Sequence, residues 1–169
     1  MYPNLTKEKL ERGECTYGYG IRWFGGTEQA RFAANAGFDS LFIDTEHSAF
    51  STETSTALCR AALGVGVTPI VRVCGFDHHL STVHLDNGAQ EIIFPHLESV
   101  EQVEQIGREL YFPPRGDRSM PGPLAINDYR PIKHEDLLEE GNRTTLAAAT
   151  IELPAAIERL DDLLAPGVL

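Results

Sequence analysis

GFDSLFIDTEH, Gly37–His47, is the stretch on which the reading of the fold turns. Gly37 stops a helical segment, and Phe38–Asp44 then reads as a buried strand that runs straight into Asp44, Thr45, Glu46 and His47. A largely apolar run is what a strand covered on both faces needs, and such strands belong to parallel sheets. In parallel α/β folds the active site gathers at the carboxyl ends of the strands. The charged exit of this strand is therefore a candidate site.

The same pattern repeats on both sides. Thr16–Trp23 reads as a strand or its approach, and Thr27–Gly37 as a helix with a threonine cap and a glycine stop. Downstream come a helix over Ser51–Gly66, a strand over Thr68–Val73, a short helix over Asp77–Gly88 and a strand over Glu91–Pro95. Ser99–Leu110 reads as an amphipathic helix, with Val100, Val103, Ile106 and Leu110 three or four apart. A loop over Tyr111–Pro131 carries five prolines and is too long for a simple connector, which points to a functional loop. A short helix over His134–Gly141, a strand over Thr144–Glu152 and a helix over Pro154–Ala165 complete the chain, the last with proline in its first turn. Strand–helix alternation implies a parallel sheet with helices outside it. A doubly wound sheet and a (β/α)8 barrel both fit, and periodicity does not choose between them.

The 169 residues fit a single domain, residues 1–169, of ordinary globular composition with 42% hydrophobic and 23% charged residues. No apolar run approaches the roughly 20 residues of a membrane span, and the polar start MYPNLTKEKLERGE is no secretory signal. A cytoplasmic protein is expected. The net charge of −11, with no local basic cluster, disfavours nucleic acid. It also requires a specific arginine or a cation wherever an anionic substrate binds. Cys15, Cys59 and Cys74 form no CxxC pair and read as reduced, structural thiols.

Ionisable groups collect at the strand exits. Asp44 and His47 lie three residues apart, the outline of a carboxylate–imidazole base; the plainer reading is a capping aspartate beside a surface histidine. Arg72 sits inside the apolar PIVRV and needs anionic partners there, either Glu46 or Asp44 as an ion pair or a substrate carboxylate. Glu152 follows a strand and precedes a helix, where it is a cap, a salt-bridge partner or a metal ligand. Strand Glu91–Pro95 ends in Pro95-His96. His78, His79 and His84 on one short helix read as a solvated face, and Asp161-Asp162 as outer-helix charge.

These segments resemble the HpcH/HpaI aldolase family. GFDSLFIDTEHSAFS (Gly37–Ser51) looks like that family's G-F-D-x-x-x-I-D-x-E-H segment. TPIVRV (Thr68–Val73), LDNGAQEIIFPHLESVEQ (Leu85–Gln102), YFPPRGDRS (Tyr111–Ser119) and TIELPAAIERLDDLLAPGV (Thr150–Val168) follow it in order. The resemblance implies a (β/α)8 TIM-type barrel of the pyruvate/phosphoenolpyruvate superfamily, present here up to the sixth β/α unit. It implies metal-dependent cleavage or formation of 4-hydroxy-2-oxo acids through a pyruvate enolate, by a homo-oligomer, with oxaloacetate decarboxylation or macrophomate-synthase-like bond formation as the alternative. Carried over by motif, Asp44 and His47 form the acid/base dyad and Arg72 holds the keto or enolate oxygen. Trp23 is an aromatic near the mouth, and Glu152 is a ligand of a divalent metal, Mg²⁺ with Mn²⁺ or Co²⁺ as substitutes.

The sequence departs from the family at two points. Thr150 stands where the family often has glutamine. The second metal carboxylate, an aspartate in a G-P-x-D segment after APGV, would lie past Leu169. The expectation for these 169 residues alone is little or no metal-dependent activity, and a non-catalytic binding or assembly module is the competing reading.

Overall fold

The computed structural model describes residues 1–169. Five strands form one parallel sheet: β1 (Gly18–Ile21), β2 (Ser40–Asp44), β3 (Thr68–Arg72), β4 (Glu91–Phe94) and β5 (Leu146–Ala149). Their spatial order equals their sequence order, β1-β2-β3-β4-β5. A doubly wound sheet reverses direction partway and puts helices on both faces. A sheet that always advances the same way keeps its helices on one face and curls, which is barrel topology. The strand count is five, one short of the six units expected.

The helices are α1 (Leu5–Glu11), α2 (Glu28–Asn35), α3 (Thr52–Leu63), α4 (His78–Asp86), α5 (Val100–Leu110), α6 (His134–Thr144), α7 (Pro154–Glu158) and α8 (Leu160–Leu164). Caps place their starts. Ser51 accepts the Thr54 N–H, Asp77 accepts that of His79, and Ser99 with Gln102 closes a reciprocal box. The segment read as one last helix is two, parted at Arg159.

Alternation along the strands separates two faces. Leu41, Ile43, Val71, Ile92, Phe94 and Ala147 are almost fully buried in one core with Ala30, Ala33, Leu58 and Ala62 of the helices. The other set, in lateral register, is Phe42, Asp44, Ile70, Arg72, Glu91, Ile93, Leu146 and Ala148. This inner face is the interior of the curled sheet; several of its members stay half-exposed, and Arg72 and Asp44 stand at its carboxyl end.

Helix α1 had no counterpart in the sequence reading, although Asn4 before LTKEKLE is a capping signal. Asn4 is 2% exposed. Its Oδ1 accepts the Lys7 N–H at 2.9 Å, while its Nδ2 donates to the carbonyls of Thr144 at 2.8 Å and Gln90 at 3.3 Å. Lys7 Nζ donates to the carbonyls of Arg143 and Thr145. The helix is thus fastened below β4 and β5. Asn4→Ala removes a cap and takes the side-chain donor from the Thr144 carbonyl, so a loss of about 2 kcal/mol is expected in urea unfolding.

The proline-rich loop is not at the mouth. Its Leu124, Ala125 and Ile126 pack with Leu63, Phe112 and Leu137 in a second small core, and the Ile126 carbonyl accepts the Tyr2 N–H at 2.7 Å. Arg118, 2% exposed, donates to Asp86 at 2.8 Å and lies 4.4 Å from the Phe112 ring. The expected functional loop is a packing element at the amino end of the sheet, because its apolar side chains are what that end needs covered. His84 is a second correction. It is 3% exposed, not solvated; its Nδ1–H donates to the Leu80 carbonyl at 2.6 Å and its Nε2 lies 2.8 Å from Ser55 Oγ. Burial lowers its pKa and keeps it neutral between α3 and α4.

Candidate active site

The four strand-exit residues converge at one mouth. Asp44 and Arg72 are register partners at the last positions of β2 and β3. Arg72 Nη2 donates to Asp44 Oδ2 at 2.7 Å and its Nε to Oδ1 at 3.1 Å, the two-pronged fit of guanidinium to carboxylate. Arg72 Nε also lies 3.2 Å from Glu46 Oε2. The Arg72 side chain is 17% exposed and the Asp44 side chain 4%, so the pair is largely shielded although both residues line the mouth cavity.

Asp44 also accepts the backbone N–H groups of Glu46 and His47, each at 3.1 Å. Burial alone would raise its pKa, but Arg72 and these backbone donors together hold it below the ordinary value. The side-chain dyad expected between Asp44 and His47 is therefore not formed. The carboxylate is consumed by Arg72 and by the turn, and the His47 ring lies instead 3.6 Å from Glu46 Oε2, with its side chain 59% exposed. The three-residue spacing produced a capping turn, the plainer of the two readings.

Two residues outside the candidate set complete the cluster. Glu46 Oε1 lies 3.2 Å from His96 Nε2, and His96 Nδ1 lies 3.2 Å from Glu152 Oε2. A continuous chain of contacts thus runs Asp44–Arg72–Glu46–His96–Glu152 across β2, β3, β4 and β5. Both residues sit at strand exits in the sequence, so that signal was present; what a linear reading lacks is that neighbouring exits face one another. Glu152 lies three residues beyond β5, and its side chain is 47% exposed.

Beside the pair lies a cavity of about 430 Å³. Tyr19, Trp23, Phe24 and Phe42 supply its aromatic lining and Asp44 and Arg72 its charged end. Trp23 is 73% exposed, with the Arg22 guanidinium 4.9 Å from its ring centre. The cavity suits a small molecule with an anionic or polar end.

The donor chemistry fits a hard divalent cation in an open arrangement. No three His, Cys, Asp or Glu side chains are grouped so as to hold a metal ion by themselves. Glu152 and Glu46 offer carboxylate oxygens on either side of His96, and Mg²⁺ commonly binds protein through only one or two carboxylates while keeping its waters.

Sheet order and mouth chemistry together define a β/α-barrel type of fold with a charged and aromatic pocket at the carboxyl ends of its strands. Comparison with known proteins makes this specific. The profile of the HpcH/HpaI aldolase/citrate lyase family matches residues 23–168, and the chain belongs to that family. It is 34% identical to the 4-hydroxy-4-methyl-2-oxoglutarate aldolase of Hapsidospora irregularis, over 97% of this chain and 62% of that protein. It is 31% identical to the hydroxypyruvate/pyruvate aldolase of Deinococcus radiodurans, over 96% of this chain and 58% of that one. Among solved structures, an HpcH/HpaI aldolase from Desulfitobacterium hafniense superposes with a TM-score of 0.89 at 29% identity, covering 94% of this chain and 61% of that one. Macrophomate synthase superposes with a TM-score of 0.79 at 26% identity, covering 96% and 56%. The chain thus spans roughly three fifths of the length of these relatives.

Proposed function

We propose that this chain carries the proton-transfer and oxyanion-binding side of a divalent-metal-dependent pyruvate aldolase, a carbon–carbon lyase of 4-hydroxy-2-oxo acids. The observation that supports it best is the Asp44–Arg72 pair, which aims a fixed guanidinium edge into the mouth between a carboxylate-lined rim and an aromatic cavity. Cleavage beyond a 2-oxo group leaves an enolate, and a preoriented positive charge in a shielded site stabilises such an oxygen without reorganising. Arg72 binds that oxygen, and Asp44 fixes the plane of the guanidinium. His47, largely exposed beside Glu46, takes the proton from the 4-hydroxyl. Trp23 and its aromatic neighbours enclose the acceptor end. A divalent metal, Mg²⁺ with Mn²⁺ or Co²⁺ as substitutes, held by Glu152 would supply Lewis acidity to the bound oxo acid.

Residues 1–169 alone are expected to release little pyruvate, because one exposed carboxylate binds Mg²⁺ weakly. The test is a fusion of this chain to the remaining barrel segment of the Hapsidospora relative, assayed for pyruvate release from 4-hydroxy-2-oxo acids with Mg²⁺, Mn²⁺ or EDTA. EDTA-sensitive turnover, reduced about a hundredfold by His47→Ala, is the expected result. A folded fusion with no turnover on any such acid overturns the aldolase reading. Pyruvate release from oxaloacetate alone favours the decarboxylase.

The same proposal places the protein in the cytoplasm as a homo-oligomer. No helix is long and apolar enough to cross a membrane. Leu153, Ile157, Leu160 and Leu164 are exposed along α7 and α8 and their approach, and such a stripe suits packing on another copy. A monomeric mass by light scattering at micromolar concentration counts against the assembly.

A further inference from the structure

His96 stands at the centre of the mouth, yet the reaction proposed above gives it no task. It lies two residues past β4 at φ +52°, a left-handed conformation that side-chain-bearing residues avoid. Three hydrogen bonds to Thr150 hold that turn. The His96 N–H donates to Thr150 Oγ1 at 3.1 Å, the Leu97 N–H to the Thr150 carbonyl at 3.0 Å, and the Thr150 N–H to the Phe94 carbonyl at 2.8 Å. The exits of β4 and β5 are thereby tied together, and the backbone that carries the imidazole is fixed.

Packing does not explain this expense, since the ring is 54% exposed. Its two nitrogens are instead placed 3.2 Å from Glu46 Oε1 and 3.2 Å from Glu152 Oε2. Glu152 has no other hydrogen bond or ion pair from its side chain, and nearly half of that side chain is exposed. Left alone, it would sample many rotamers, and a ligand that must be ordered on binding binds more weakly. A conformationally strained residue whose ring lies between two carboxylates, one of them otherwise unpartnered, points to a task at that carboxylate.

We propose that His96 is the positioning residue for Glu152. Its ring engages Oε2 and leaves Oε1 turned to the mouth for a divalent cation. Thr150 acts through its hydroxyl, which accepts the His96 N–H, to keep His96 in place. The inference rests on the reading of Glu152 as a cation ligand.

The test is Mn²⁺ binding to this chain at pH 7.5, followed by the electron paramagnetic resonance of free Mn²⁺, with circular dichroism as the check on folding. Glu152→Gln is expected to abolish measurable binding. His96→Ala is expected to weaken it about 10- to 100-fold, as loss of a residue that orients a metal ligand does. His96→Asn tolerates the left-handed backbone and should fold as the parent does, yet bind as weakly as His96→Ala. Thr150→Val should shift binding in the same direction, and Thr150→Ser should restore it. If Glu152→Gln abolishes binding while both His96 variants bind like the parent, the positioning role is overturned and the ligand reading stands. Parent-like affinity in Glu152→Gln overturns both. Tighter binding by His96→Ala means that the ring occupies the cation's place, and parent-like binding by His96→Asn alone assigns the effect to the backbone; either result overturns the proposal.

Discussion

Arg72→Met is expected to lower folding stability by about 3 kcal/mol at pH 7, the scale seen when one partner of a buried ion pair is removed. Methionine keeps much of the side-chain volume, so the change tests charge rather than packing. It leaves Asp44, 3% exposed, as a carboxylate with only two backbone donors. The pH dependence separates this cause from a packing defect. The Asp44 pKa is held below its ordinary value of 3.8 in the folded protein. The pair's contribution is therefore fully present above that value and is lost as pH falls through the depressed folded value. The gap between parent and variant in urea unfolding should be widest at neutral pH and narrow in acid, where Asp44 protonates in both. A gap independent of pH would assign the loss to packing. In the fusion enzyme the same variant should lose turnover about a hundredfold or more, because no other cation faces the mouth from that strand.

Glu91→Gln is expected to do the opposite and stabilise the protein at alkaline pH. Glu91 lies on the inner face at the amino end of β4, between Ile70 and Leu146 in register, and is 7% exposed. No ion pair compensates it, and burial pushes its pKa from 4.5 up to about 7. The folded state therefore holds a proton that the unfolded chain has released between those two values, and stability falls as pH rises through the interval. Above it the shift of about 2.5 units corresponds to a penalty of about 3 kcal/mol. Glutamine mimics the protonated acid and escapes that penalty. Urea midpoints measured from pH 4.5 to 8.5 should diverge up to about pH 7 and then keep a constant gap, with the variant ahead. Equal slopes in the two proteins would mean that Glu91 ionises normally, with a partner or with water on the inner face.

Both residues show how far a linear reading reaches. Arg72 was recognisable as anomalous because an arginine inside PIVRV must find an anion, and Asp44 and Glu46 were named as its partners; the structure supplies both. Glu91 is the first residue of its strand, and no local pattern marks it as buried. Only the register, which turns it inward beside Ile70, makes it a buried acid. The Asp44–His47 spacing fitted a dyad and, more plainly, a capping turn, and the competition for one carboxylate was settled by a residue 28 positions away.

What the sequence by itself determined is the five strands, most of the helices between them and the end of the sheet where the chemistry sits. Those follow from local physics: apolar runs of strand length, capping residues before helices, and charged residues at strand exits. Tertiary structure decided three things that no local signal carries. Barrel topology rather than a doubly wound sheet follows from the order β1-β2-β3-β4-β5, which depends on which strand pairs with which. The proline-rich loop went to the amino end because Leu63, Phe112 and Leu137 there required cover. The mouth itself, with Glu46 and His96 linking Arg72 to Glu152, arises because adjacent parallel strands end side by side. Residues up to 108 positions apart, as Asp44 and Glu152 are, become near neighbours through hydrogen bonds made elsewhere in the sheet.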